Sequence, residues 1–458
     1  MVENNTKVSL SEMVLFTVCG ILVIDTFVAP AIIGVSSITI WLLTAILFFI
    51  PYGLINAELG AAYPEDGGIF NWVNRAYGSF SATLVGWFYW VNVAIWMPAV
   101  YVAFAYWFSY AYLPGMPNWA MALIAVVLSW ITVFINIRGI DVSVKFTNLG
   151  AILKVGILLA FGIFGAIYGV KFGFKNDFSL EAFKPTLDNT LLYSTAIVYN
   201  FMGFELISAV GSKIDEPEKN IPKMTILAGI LIAAMYIVGT FGVLAALPAN
   251  EIDTVDGFLY ALEELTTIFG SAGPFVFKVV VGCALYTLLT NMISWTIGGT
   301  EVLAAADLDT KSGLLGHKHP KYGTADYSYY IYGLISSFLV IVNFSLSEDA
   351  NAIFWTILAF SFVIFLLPYL WLFPSAVKLR KIDKETKRPY KVPGGELGLK
   401  IAATIGEIFI IAAIGFLFLP DDSYNLAIYY TTLIVGTIIT VLIGIRLYNR
   451  GKKQKVQN

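Results

Sequence analysis

Apolar runs of about 20 residues recur from one end of the chain to the other, separated by short polar stretches. A run of that length crosses the hydrocarbon core of a bilayer as a single helix. Twelve spans are predicted, roughly at 12–35, 39–62, 80–112, 119–137, 146–169, 190–211, 224–247, 272–304, 327–344, 351–378, 400–419 and 424–447. The pattern therefore predicts an all-α, polytopic membrane protein. No linker or low-complexity stretch marks off a second domain, so 1–458 reads as one integral body. The start, MVENNTKVSLSEMV, is polar and runs straight into the first span, so no cleavable leader is expected.

Composition agrees. Of the 458 residues, 58% are hydrophobic and 13% charged, about half the charged share of a soluble domain. The two cysteines, Cys19 and Cys283, lie in apolar runs and read as small buried hydrophobes. Net charge is −3, but its distribution says more than its sum. Arg75, Arg138, Lys145, Lys213, Lys219, Lys223, Lys311, Lys318, Lys321, the loop KLRKIDKETKRPYKVPGGELGLK and the tail RLYNRGKKQK fall on one side. By the positive-inside rule that side is cytoplasmic, with both termini. The other side holds Lys171, Lys175 and Lys184 but is otherwise acidic: Glu251, Asp253, Asp256, Glu263, Glu264, Glu348, Asp349, Asp421 and Asp422. An acidic rim concentrates cations; it is also what the positive-inside rule alone leaves behind.

Two spans carry helix-breaking and polar residues at mid-length. The first, FTVCGILVIDTFVAPAIIGV, holds Asp25, Pro30 and Gly34; the sixth holds Asn200, Gly203 and Glu205. A carboxylate at bilayer depth is costly unless it faces protein, water or a cation. Lys154 sits in the fifth span, either for a functional reason or close enough to the cytoplasmic end to snorkel. His317 and His319 share one loop and read as solvated. No metal-ligand cluster, phosphate loop, nucleophile–base arrangement or basic-aromatic surface is visible, so no enzyme, cofactor, metal or nucleic acid is expected.

The second span ends in NAELGAAYPEDGGIFNWVNRAYG, with Glu58, Pro64, Gly67, Gly68 and Trp72 as a compact signature. The sixth gives YNFMGFELISAVGSKIDEPEKNIPK, the eighth NMISWTIGGTEVLAAADLD, and the tenth LLPYLW before RPYKVPGG. Together these resemble the amino acid–polyamine–organocation superfamily over nearly the whole chain, nearest to bacterial glutamate/GABA and arginine/agmatine exchangers. The resemblance implies two inverted five-helix repeats, 12–169 and 190–378, plus two further helices, 400–447. It also implies that spans 1 and 6 are broken at mid-membrane and hold the substrate between them.

In amino-acid carriers of this group a small Gly/Ser-rich break in span 1 cradles the substrate carboxylate on free amides. Here CGILVIDTFVAP falls on that motif, and Asp25-Thr26 takes its place. At ~4 Å and an effective dielectric of ~20, two carboxylates repel by about 4 kcal/mol, close to a thousandfold in affinity. An amine without a carboxylate is therefore the expected substrate. The competing reading has Asp25 protonated or capped by its own helix amides.

The resemblance further places Glu205 beside the pocket, as a gate or proton carrier, or else as a structural strut. Trp295 and Tyr199 align with pocket aromatics suited to an ammonium or guanidinium. Asn92 and Ser361 are candidates for its distal end, Thr26 and Met202 are candidate contacts in the two breaks, and Tyr89, Trp90, Trp96 and Met97 shape the wall. Lys154 would fill what is a sodium site in sodium-coupled relatives, making transport sodium-independent.

The expected function is exchange of a cationic amine, agmatine for putrescine or a similar polyamine pair, across a bacterial plasma membrane by alternating access. The partners expected are the amine and the bilayer, with a homodimer allowed. The alternatives are an amino-acid antiporter or proton-coupled amino-acid permease of the same fold and, from another class, a channel or transport-dead sensor.

Overall fold

The computed structural model describes residues 7–185, 187–253, 256–306, 315–345, 349–419 and 425–456. Lys311, Glu348, Asp421 and Asp422 of the charged loops lie outside them, as does the Asp349 side chain. Every extended element is helical; the described residues contain no strand, only a backbone bridge between Val8 and Ile214.

The chain opens with α1 (Leu10–Ile21), whose start is fixed by a capping box. The Ser9 amide donates to Glu12 Oε2 at 2.9 Å and the Glu12 amide donates back to Ser9 Oγ. After an irregular stretch and a 3₁₀ turn (Ala29–Ile33), α2 (Ser36–Thr44) and α3 (Ile50–Ala62) join through a π-helical turn into one rod. Then follow α4 (Ile69–Tyr77), α5 (Ser79–Tyr112), α6 (Asn118–Ile137), α7 (Ile140–Phe172) and α8 (Leu187–Asn200). A tight 3₁₀ segment (Phe204–Lys213) leads to α9 (Pro217–Ala246) and α10 (Gly257–Thr266). The chain ends with α11 (Gly273–Ala305), α12 (Asp326–Ser345), α13 (Asp349–Leu366), α14 (Tyr369–Ile382), α15 (Gly395–Phe416) and α16 (Leu426–Val456).

Ten helical segments among the described residues are long and apolar enough to cross a membrane. The first and sixth predicted spans are not among them, because each is split into two short pieces. Two helices were not expected from the apolar pattern. α4 and α10 both lie in what read as loops, because each is too short and too polar on one face to register as a span.

The two interrupted segments pack at the centre, mostly buried, while α15 and α16 present rows of exposed Ile and Leu to the outside. Contact with lipid requires such a surface, since hydrocarbon is as apolar as the side chains it meets.

Candidate functional site

The last carbonyls of α1 would be orphaned where the helix stops. Each is met, the first by the helix's own cap and the other three by side chains of other elements. The Leu22 amide donates to Val18 O, and the Lys154 ammonium donates to Cys19 O at 2.5 Å. The Trp295 indole donates to Gly20 O at 2.9 Å, and the Tyr236 hydroxyl donates to Ile21 O at 2.5 Å. The break is thus held open by α7, α11 and α9. A cation at a helix C-terminus also suits the helix dipole. Lys154 is fully buried and additionally bonds Asn291 Oδ1 at 2.9 Å, so its head is held inside the protein and does not snorkel.

The sixth span breaks at Phe201–Gly203. Gly203 has φ +127°, and a Cβ there would press on Ile21, Leu206 and Trp295 at 3.1–3.3 Å, so glycine is required. The freed amides of Gly203 and Phe204 donate to the Tyr52 hydroxyl at 2.9 and 3.1 Å. Tyr52 in turn donates to Glu205. Glu205 also accepts the Tyr89 and Tyr369 hydroxyls, at 2.6 and 2.5 Å, and is 1% exposed. Three phenols from α3, α5 and α14 therefore close around one carboxylate.

The two breaks are tied directly: Thr26 Oγ1 donates to Asn200 Oδ1 at 2.5 Å. The Tyr236 hydroxyl accepts the Val23 amide at 2.9 Å and has Asn200 O as a second acceptor at 3.1 Å. Asp25 lies between, half-buried, with its carboxylate near its own backbone amide and within electrostatic reach of Lys154, Tyr199 and Tyr236. Asp25 Oδ1, Tyr199 Oη and Asn200 Nδ2 are buried without a hydrogen-bond partner. Buried polar atoms normally have one, so these three are free to take a partner from a polar occupant or water.

Rings form the walls. Trp96 packs edge-on against Tyr199 and Trp295, at 5.5 and 5.4 Å between centroids. Phe365 packs against Tyr89, Tyr199 and Trp295. Asn92 lies one turn from both Tyr89 and Trp96 on α5, fully buried, with neither amide atom partnered. Met202 is buried in the sixth-span break itself, and Ser361 is buried on the α13 turn that carries Phe362 and Phe365. The structure thus gathers Asp25, Thr26, Tyr199, Trp295 and, across the rings, Asn92. Glu205 sits apart from Asp25 in its tyrosine cage, and Lys154 serves the α1 terminus.

Both ends are covered. On the acidic side Phe258 of α10 stacks on Trp107 and Phe161, at 4.5 and 5.2 Å, and meets Phe27 at 6.4 Å. On the basic side the second-span signature acts as a clamp. Glu58, 2% exposed, accepts Arg380 Nε at 2.9 Å and the Val392 amide at 2.7 Å, with Arg388 at 3.7 Å. Asp66 takes the Ser212 amide and hydroxyl at 2.8 and 2.7 Å. Gly68, at φ +44°, lies against the Ser208 backbone, where a Cβ would come to 3.0 Å. A cavity of about 980 Å³ lies elsewhere, between the acidic ends of α5, α6, α10 and α11, and no residue of either break lines it.

Tyr52, Tyr236, Tyr369, Phe365 and Phe258 were not singled out in the sequence. Mid-span tyrosines were the available signal, but the chain has 25 tyrosines and nothing local separates these from interfacial ones.

A bundle of apolar helices with two facing interruptions, closed over unpartnered polar atoms, defines a multi-pass membrane transporter. The comparisons agree, and they point to transport rather than catalysis. The chain belongs to the amino acid permease family, whose model matches residues 8–443. It is 30% identical to the probable agmatine/putrescine antiporter AguD of Lactococcus lactis, over 97% of this chain and 95% of that protein. A glutamate/gamma-aminobutyrate antiporter of the same species is 23% identical over 98% and 92%. The serine/threonine exchanger SteT of Bacillus subtilis is 26% identical over 91% and 88%. Among solved structures, a mutant of the Eremococcus coleocola manganese transporter superposes with a TM-score of 0.63 over 98% of this chain and 94% of that one, at 12% identity. That likeness speaks for the fold alone.

Proposed function

We propose that this transporter exchanges small cationic amines lacking a carboxylate, agmatine and putrescine or a related pair, by alternating access across a bacterial plasma membrane. The observation that carries the reading is the Asp25 carboxylate in the first break, with Oδ1 buried and unpartnered. An ammonium supplies the missing donor and the opposite charge; a carboxylate supplies neither. Thr26 and Met202 contact the substrate in the breaks, Tyr199 and Trp295 cover its length, and Asn92 and Ser361 receive its far end. Glu205 acts as the gate on the basic side, since the three phenols it gathers come from helices that must separate for that side to open.

The architecture behind this is twelve spans as two inverted repeats, 12–169 and 190–378, followed by 400–447, with both termini cytoplasmic. Support comes from matched parts. A split first segment, a long second helix, a short surface helix and a long third helix occur in order in both halves, with α4 answering to α10. Lys154 on Cys19 O supports sodium-independent transport.

The amino-acid antiporter or proton-coupled permease remains the second reading, favoured by the similarity to the glutamate/gamma-aminobutyrate and serine/threonine exchangers. Counterflow in proteoliposomes separates them. Labelled putrescine should enter liposomes loaded with putrescine or agmatine and be displaced by agmatine. Equal displacement by arginine or glutamate would overturn the amine reading, and absence of counterflow would favour a sensor.

A further inference from the structure

A groove of about 470 Å³ lies between the basic ends of α14 and α15, away from the breaks. Three lysines converge on it, Lys378 and Lys381 from α14 and Lys400 from α15. Their neighbour Arg380 points the other way and is taken up by Glu58. Among the described residues none of the three ammonium groups has a carboxylate within ion-pair distance. Lys378 instead lies over the Tyr77 ring at 4.1 Å. Beyond the lysines the wall turns apolar, with Val377, Ala403 and Ile408, and Ile408 is exposed on the outer face of α15.

We propose that this groove is a headgroup site for an anionic glycerophospholipid of the surrounding leaflet. The phosphate sits among the three lysines and the acyl chains run down the apolar side of α15. Charge complementarity selects the headgroup, and the exposed apolar wall that continues from the lysines selects a lipid over a soluble anion. The one carboxylate of the groove, Glu407, does not contradict this. It lies seven residues past Lys400, about 10 Å deeper along the helix, within electrostatic reach of Tyr77, the ring under Lys378. The exposed Thr404 lies between them and can donate its hydroxyl to the ester region.

The test uses the full-length protein in neutral detergent, with phosphatidylglycerol, phosphatidylcholine and inorganic phosphate as probes. Binding is read by native mass spectrometry and by the shift in thermal unfolding. Phosphatidylglycerol should be retained and raise the midpoint, while the other two do neither. Replacing lysines by glutamine at 378, 381 and 400 should weaken retention about fivefold per lysine, roughly a hundredfold for all three. Arginine at the same positions should preserve it, and glutamine at Lys384, Lys387 and Lys391 of the adjoining loop should leave it unchanged. If the triple variant does not fold, Lys400→Gln alone carries the comparison. Equal retention of phosphatidylcholine would reduce the groove to ordinary lipid contact. The same stabilisation from inorganic phosphate would make it a soluble-anion site, and equal loss in the loop variant would leave only general surface charge. Each of these results overturns the proposal.

Discussion

Tyr52 and Tyr236 perform the same task on opposite broken helices. The Tyr52 hydroxyl accepts the amides of Gly203 and Phe204, and the Tyr236 hydroxyl accepts the amide of Val23 while capping Ile21 O. Each comes from the long helix that follows a split one and reaches across to the split helix of the other half.

Removing either hydroxyl strands buried backbone amides. Tyr52→Phe and Tyr236→Phe should each lose about 1–3 kcal/mol of stability, read as a lowered unfolding midpoint in detergent. Both should slow exchange more than they weaken amine binding. Unchanged stability in both would show that the hydroxyls are dispensable to the breaks.

Asp25→Asn keeps the shape of the side chain and removes its charge. Amine affinity should fall by about a thousandfold, as a loss of about 4 kcal/mol implies, with the unfolding midpoint close to the parent's. Titration of agmatine and putrescine into the purified variant measures this. Retained affinity would remove the basis of the proposed substrate class.

Glu58→Gln leaves Arg380 and Arg388 facing a neutral amide in a dry clamp. Breaking a buried ion pair from one side costs about 3–5 kcal/mol. The variant should be markedly less stable, and a cysteine placed at the buried Ser208 should label faster from the basic side. Parent-like labelling would show that the clamp does not hold that side closed.

Acid should loosen the same region. Asp383 sits beyond the end of α14, and the Thr386 hydroxyl holds its carboxyl below the usual carboxylate range, helped by Tyr63 and Arg388. A depressed folded-state value contributes stability above the unfolded value of about 4 and loses it as pH falls through the folded one. Asp383→Asn should already lack that contribution at neutral pH and show a flatter stability profile below about pH 4. Identical profiles would assign acid sensitivity elsewhere.

The sequence made the membrane class and the two interruptions legible because both are local signals. Apolar length marks the spans, and Pro30, Gly34, Asn200 and Gly203 mark the breaks. Glu58 was legible as part of a signature, but its partners were not: Arg380 and Val392 lie 322 and 334 residues away. The tyrosine cage of Glu205 was hidden for the same reason, since Tyr52, Tyr89 and Tyr369 meet only after three helices pack. α10 was hidden differently. Its value lies in setting Phe258 against Phe27, a role that hydropathy does not encode.

Lys154 ends at the C-terminus of α1. The amine resting on Cys19 O is covalently part of the chain, so it cannot depart with cargo on either side of the bilayer. On the proposed sodium-independent reading, such a carrier gains no pull from a gradient of loose cations at that point. Under the proposed exchange, the direction of travel is then set by the relative abundance of the two amines on either side.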